Sequence, residues 1–138
     1  MIPQYFEFQT TIQKFIEEAI PQLTDVNRAW ISLYIHLSAC DEQQTLVTIT
    51  SFYSQMHKHA KLIEERDAKL IEEVESIIFV INEELYTLPL NEFWQHIKSD
   101  NYNIKMFWKW IKKMYDLSCL IVGESNINTD QNGKTIKL

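Results

Sequence analysis

Two residues, His59 and Asp67, are of types that could do chemistry together, since an imidazole beside a carboxylate can act as a general base. If they share one helix, they lie about two turns apart on its apolar stripe, where leucine would be expected. Buried polar groups need hydrogen-bond partners, and Tyr34 or Trp30 on another helix could supply them. We therefore predict a buried polar layer rather than a catalytic pair.

Two further pairs have the spacing of metal ligands on a helix. His36 and Cys40 stand at positions i and i+4, as do Glu92 and His96. Each pair is half a site, and structural zinc normally takes four protein ligands. The Glu-x-x-His pairs that di-iron helical bundles use do not occur. We expect neither a metal nor another cofactor.

The common enzyme motifs are missing from the sequence. It contains no P-loop, no GxGxxG, no GxSxG and no HExxH. The sequence therefore names no catalytic residue and leans against an enzyme. A small helical hydrolase or nuclease is kept as a third hypothesis, and a pocket lined by His59, Asp67 and another titratable group would favour it.

Residues 104–117, IKMFWKWIKKMYDL, combine lysines and aromatic residues at helical spacing. The lysines fall within an arc of about 100° on a helical wheel, and apolar side chains fill the rest. A solvated face would look like this, and so would a face that docks a protein partner. Because the aromatic residues lie apart from the lysines, a surface that stacks nucleic-acid bases is disfavoured. The four lysines of this stretch, which would form the basic face, are Lys105, Lys109, Lys112 and Lys113.

The charge is distributed unevenly along the chain. Residues 1–100 hold 16 acidic and 7 basic side chains, whereas residues 101–138 hold 3 and 6. An acidic body disfavours binding to nucleic acid, whose phosphates need Lys and Arg. The glutamates of residues 64–84 could pack beside the lysine helix, or could imitate a phosphate backbone. The second possibility defines our alternative function, an acidic inhibitor that mimics nucleic acid at a basic site on another protein.

The scarcity of glycine and proline predicts the fold class. The chain has 2 Gly and 3 Pro in 138 residues, too few for the many turns of a sheet protein. We predict an all-α, single-domain bundle of five or six helices over residues 1–123. Gly123 would end the last helix, and residues 124–138 would form a polar tail or a small hairpin at Asn132-Gly133.

A helical stripe runs without a phase break from Ile49 to Leu85. It predicts one long helix, or two nearly collinear helices with a kink near residues 50–56, capped at its start by Asp41. The helix that Thr24 or Asp25 would cap, and that runs to about residue 39, is apolar on two faces, so we expect it to be central. The predicted core comprises Phe8, Ile12, Phe15, Trp30, Leu33, Leu37, Met56, Ile63, Leu70, Val74, Ile77, Ile81, Trp94, Phe107, Trp108 and Ile111.

Composition and targeting signals predict a soluble cytoplasmic protein. The two cysteines form no CxxC pair and are expected to be reduced. No signal peptide and no membrane-spanning apolar run are evident.

High aromatic content near one helix points to binding, since aromatic residues anchor interfaces. The leading hypothesis is a non-enzymatic protein–protein interaction module with an unidentified protein partner, and a viral or mobile-element accessory protein is one hypothesis for its origin. About 260° of the lysine helix is apolar, more than one face of a monomer helix needs. We therefore also predict a homodimer, with Met106, Trp110 and Leu117 at the contact.

Overall fold

The computed structural model describes residues 2–19 and 28–129, with side chains for residues 2–18 and 31–123. Within these residues helices predominate, and one two-stranded antiparallel sheet is inserted among them. The predicted helical fold is confirmed, whereas a purely all-α bundle is not. The elements are α1 Pro3–Ala19, α2 Arg28–Ser38, α3 Glu42–Met56, a 3₁₀ turn His57–His59, α4 Ala60–Glu64, α5 Lys69–Glu73, β1 Ile77–Ile81, β2 Glu84–Leu88, α6 Leu90–Ile97 and α7 Asn101–Thr129.

The start of the predicted long helix is confirmed, and its continuation is wrong. Asp41 caps α3 by accepting a 2.8 Å hydrogen bond from the backbone N–H of Gln44, and the β-branched residues that follow are helical. After Met56, however, the chain passes through a 3₁₀ turn, two five-residue helices and a hairpin. No continuous helix connects Ile49 to Leu85.

The hairpin forms because residues 77–81 alternate between buried and exposed positions. Ile77, Phe79 and Ile81 are buried, while Ile78 between them is exposed. Asn82 and Glu83 both have positive φ, 51° and 69°, as a two-residue type I′ turn requires. Ile77 and Ile81 satisfy a helical period and a strand period equally. This coincidence explains why the stripe suggested a helix there.

Helix α3 lies along the outer edge of β1, and its side chains bond to most of the outward backbone groups of that strand. Such an edge would otherwise expose unpaired N–H and C=O groups. The bonds join Gln55 to the N–H and C=O of Ile78 at 2.8 and 2.5 Å, Thr48 to the C=O of Val80 at 2.6 Å, and Gln44 to the N–H of Asn82 at 3.0 Å. These polar residues recur on one side of α3, so the helix takes the place of a third strand.

The core is built largely from the residues that periodicity predicts. Fourteen of the sixteen predicted residues are buried, and Trp94 is partly buried against the core. The side chain of Trp30 lies outside the described residues. Aromatic rings connect the elements: Phe52 of α3 meets Phe8 of α1 edge-on at 5.6 Å and stacks on Phe79 of β1 at 6.1 Å. The hairpin is thereby fixed to α1 and α3.

Helix α2 is not central, contrary to the expectation. Its Leu33 and Leu37 are buried, but Ile31 and Ile35 are exposed, Ile35 by 59%. Hydrogen bonds from Gln13 of α1 to the C=O of Tyr34 and to Ser38 hold one flank of α2. On the flank nearer the sheet, His36 contacts Tyr86 of β2. Helix α2 is therefore a surface helix with an uncovered apolar strip.

Helix α7 is longer than predicted. It continues through Gly123 to Thr129, so the glycine does not end it. The division of the chain at residue 123 stays a prediction, and Asn132-Gly133 lies outside the described residues. Within the part of the chain that the structure describes, no helix combines the length and apolar character needed to cross a bilayer.

Candidate protein-binding groove

An open groove of about 410 Å³ runs beside the second half of the predicted lysine stretch on α7. Three of the four predicted lysines line it together with Leu117, while Lys105, Met106 and Trp110 do not. Side chains from α1 and from the turn after α4 complete it. The lining residues are Glu7, Arg66, Lys109, Lys112, Lys113, Asp116, Leu117 and Leu120.

The apolar part of the groove comes from two leucines on one face of α7. Leu120 is 48% exposed, and Leu117, three residues earlier, is partly buried. Residues at this spacing are neighbours on a helix surface. The methylene stems of the flanking lysines extend the apolar area while their charged ends stay in water. The groove therefore offers a short apolar strip with a cationic rim.

Carboxylates neutralise part of the cationic rim. Lys112 donates to Glu64 at 2.9 Å and to Asp116 at 3.1 Å, and these bonds raise the pKa of Lys112 above its usual value. Lys113 lies 3.7 Å from Glu7. Each of these pairs is largely exposed, so it adds only ~0–1 kcal/mol to stability. The expected packing of acidic residues beside the lysine helix is thus observed at Glu64.

Two cations in the groove have no carboxylate partner among the described residues, Arg66 and Lys109. The ammonium of Lys109 lies 5.1 Å from the ring centre of Trp110, and this cation–π contact leaves its charge uncompensated. Lys109 is exposed as well. These two side chains are therefore available to an anionic group on a ligand.

Arg66 reaches the groove at a conformational cost. Its φ is 52°, and it ends α4 in a Schellman arrangement, with its N–H bonded to the C=O of Ile63 at 3.2 Å. The next N–H, of Asp67, bonds to the C=O of Leu62 at 2.9 Å. Glycine is the usual residue at this position, because a Cβ disfavours the left-handed conformation by about 1 kcal/mol.

We expect Arg66→Gly to raise the free energy of unfolding by about 0.5–1 kcal/mol, because glycine adopts positive φ without steric cost. Arg66→Ala removes the same charge but keeps the Cβ, so it should match the wild type. Urea denaturation followed by circular dichroism measures both. A glycine variant no more stable than the alanine variant would show that Arg66 is unstrained.

The structure does not join His59 and Asp67 in one layer. His59 Nδ1 lies 2.9 Å from Glu73 Oε2, and the Asp67 carboxylate accepts a 2.9 Å bond from the N–H of Lys69. Each residue thus has a local partner of its own. Tyr34, the expected partner from another helix, donates to Glu17 at 2.7 Å instead.

A contact between the imidazole of the exposed His57 and the phenol of the buried Tyr115 has no signal in the sequence. His57 Nδ1 lies 2.9 Å from the hydroxyl of Tyr115, and Tyr53 stacks on the His57 ring at 4.6 Å. Burial raises the pKa of Tyr115, and the neighbouring Cys119 thiol raises it further, so the phenol stays neutral at ordinary pH. The contact joins residues from α7 and the 3₁₀ turn, which only the tertiary fold brings together.

The His36 cluster is not a nucleophile–base pair. His36 Nδ1 lies 2.8 Å from the C=O of Ser32 and 3.2 Å from the Ser32 hydroxyl. A carbonyl only accepts, so this nitrogen carries the proton and is not free to take the proton of the hydroxyl. The thiol of Cys40 donates to the C=O of His36 at 3.5 Å, and burial raises the pKa of Cys40. Among the described residues, no three potential ligands are placed to hold a metal ion.

Trp110 faces the interior of its own chain. It is only 7% exposed, and its indole N–H is buried with no hydrogen-bond acceptor among the described residues. Phe15 of α1 and Phe93 of α6 line the narrow cleft beside it. The wide apolar arc of α7 is therefore covered to a large extent by α1, α3 and α6. The reason for placing Trp110 at a contact between two copies no longer holds.

Comparison with protein-family models, with curated proteins and with solved structures finds no match for this chain. The fold and the groove together define a mostly helical protein whose α7 presents leucines within a cationic rim.

Proposed function

We propose that the chain is a non-enzymatic protein–protein interaction module whose α7 groove binds an acidic segment with apolar side chains on a protein partner. The observation that carries this proposal is the position of Arg66 and Lys109, neither neutralised by a described carboxylate, beside the exposed Leu120. An exposed leucine alone needs no explanation. A leucine that lines the same groove as two cations without a described carboxylate partner matches a ligand that is apolar and anionic at once.

The shape of the groove favours a helix or short turn of the partner. It follows the side of α7, so an amphipathic segment could lay its apolar face on Leu117 and Leu120. Carboxylates on the flank of such a segment would meet Arg66 and Lys109. In interfaces of this kind the apolar anchors provide most of the affinity, and the rim charges set association rate and specificity.

The groove is a poor site for nucleic acid. Glu7 and Asp116 line it together with the cations, and the whole chain carries a net charge of −6. Phosphates bind best where cations are not interrupted by carboxylates. A protein ligand can place its own charges to suit this mixed pattern, whereas a regular phosphate backbone cannot.

The alternative, an inhibitor that imitates nucleic acid, would use the opposite charge. Glu72 and Glu75 support it, because both line two neighbouring clefts at α5. However, Glu64 and Glu73 are engaged with Lys112 and His59. A hydrolase or nuclease would need His59 and Asp67 at one site, and each has a separate local partner.

A photo-crosslinking residue placed at Leu120 in cells of the source organism tests the proposal. We expect the crosslinker at Leu120 to capture one protein. The same crosslinker at the exposed Thr50 of α3 should not capture that protein. With that protein purified, Lys109→Glu and Arg66→Glu should each weaken binding about 10-fold, since each places like charges face to face.

Lys58→Glu is the matched control, because it makes the same charge change at an exposed position among the α5 acids. Lys58→Glu should leave the affinity for the partner unchanged. Charge mimicry would predict a different result. The affinity would then fall steeply with salt, and Lys58→Glu would alter it whereas Lys109→Glu would not. Equal crosslinking from Leu120 and Thr50 would contradict the proposed groove.

A further inference from the structure

The two edges of the sheet differ in how their backbone groups are satisfied. In β1, the polar groups of Ile78 and Val80 point toward α3, and the register places Thr87 and Leu85 opposite these two residues. These are the non-hydrogen-bonded pairs of the antiparallel ladder. Both residues of such a pair direct their N–H and C=O groups away from the partner strand. The backbone groups of Leu85 and Thr87 therefore point away from β1, and no hydrogen bond from a described residue reaches them.

The β2 edge has few of the features that usually block pairing with another strand. Proteins protect open edges with lysine, proline, a bulge or a covering element. Pro89 ends β2, but within the strand there is no lysine and no bulge. Leu85 is 68% exposed, and Thr87 is exposed too. The edge is short, apolar at its centre and accessible.

We propose that this edge pairs with the β2 edge of a second copy of the chain, antiparallel and about a two-fold axis through Tyr86. Leu85 of each copy would then exchange hydrogen bonds with Thr87 of the other. This pairing satisfies the outward N–H and C=O of both residues in each copy. The two hairpins would form one four-stranded sheet. A two-fold contact of this kind is self-complementary, as most homodimer interfaces are.

The register follows from the backbone, and the charges are compatible with it. Pairing centred on Tyr86 gives two hydrogen-bonded residue pairs, whereas centring on Leu85 or on Thr87 gives only one, because the turn or Pro89 then lies opposite. With the axis at Tyr86, Glu84 faces Leu88 of the second copy rather than another glutamate. Like charges directly opposite would be destabilising.

The strand is held in place before any pairing. The Tyr86 hydroxyl lies 3.1 Å from His36 Nδ1 and donates to Glu84 at 3.0 Å, and its ring packs on His36 with ring centres 5.4 Å apart. A preformed strand binds with less loss of conformational entropy. Helix α2 packs against β2 through the flank that carries His36, which supports the strand from one side.

Sedimentation equilibrium of the 16.5 kDa chain tests the proposal. We expect a reversible monomer–dimer equilibrium that strengthens with salt, because two copies of charge −6 repel each other. Thr87→Pro should raise the dissociation constant about 10-fold or more, because proline removes the outward N–H and obstructs the approaching strand. The N–H that it removes is not part of the ladder with β1. Leu120→Glu, which alters the α7 groove, should leave the dimer intact, so this test is independent of the proposed function.

Hydrogen exchange on the wild-type protein provides a second readout, independent of how well Thr87→Pro folds. The amides of Leu85 and Thr87 should become protected as concentration rises, while the Ile78 amide, bonded to Gln55, should not respond. A monomer at all concentrations would overturn the proposal. So would protection of Leu85 and Thr87 that is independent of concentration, since the chain itself would then cover the edge. A dimer that persists unchanged in folded Thr87→Pro would overturn it as well.

Discussion

Trp110→Glu is expected to destabilise the fold strongly rather than to separate two copies of the protein. The side chain is 7% exposed and packed among aromatic residues of α1 and α6, so glutamate would leave most of the volume of the ring empty. This lost packing should lower the free energy of unfolding by ~3–5 kcal/mol, even though Lys109 and Lys113 are close enough to meet the carboxylate. That is a large part of the ~5–15 kcal/mol typical of a domain. Urea denaturation at neutral pH measures the loss.

Trp110→Phe is the matched control for this prediction. It keeps an aromatic ring in place and removes the indole N–H that has no acceptor among the described residues. The gain from removing an unsatisfied donor should offset much of the lost volume, leaving stability within about 1 kcal/mol of the wild type. A Trp110→Glu variant as stable as the wild type would show that this side chain is on the surface after all.

Phe79→Ala is expected to lower the free energy of unfolding by ~3–5 kcal/mol. Phe79 is fully buried, and its ring stacks on Phe52, which in turn meets Phe8. Alanine would leave a cavity between the hairpin and α3. Because these rings attach the sheet to the helices, the loss should appear in the cooperative unfolding of the whole domain, measured by circular dichroism in urea.

Ile78→Ala, one residue earlier, tests whether the segment is a strand. Ile78 is 40% exposed on the opposite face, so its truncation should change stability by less than about 1 kcal/mol. A large loss at Phe79 beside a small one at Ile78 is the pattern of a half-buried strand. Similar losses at both positions would contradict the assignment of this segment to β1.

Local signals predicted the helical part of the fold well. The capping of α3 by Asp41 depends on residues three apart, and the buried faces of α1 and α7 follow from a single 3.6-residue period. The hairpin was missed because Ile77 and Ile81 fit both periods. Asn82, a residue that tolerates positive φ, was the signal that could have placed the turn.

The groove could be predicted only in part, for a physical reason. Lys109, Lys112 and Lys113 share one helix, so the sequence shows them together. Arg66 and Glu7 come from other elements, and no local pattern relates them to α7. The burial of Trp110 depends likewise on α1 and α6. Tertiary packing decides which part of an apolar arc stays exposed, and a helical wheel does not contain that information.

The closure of β1 by α3 sets an upper limit on polymerisation. Extended-strand stacking into fibres requires every added molecule to present a fresh edge for the next. Here Gln44, Thr48 and Gln55 occupy one side of the hairpin with side-chain bonds, so only the other side can recruit a strand. Strand pairing between native molecules would therefore stop once a second molecule has been added. Three polar residues on a neighbouring helix thus prevent the native hairpin from extending into a fibril.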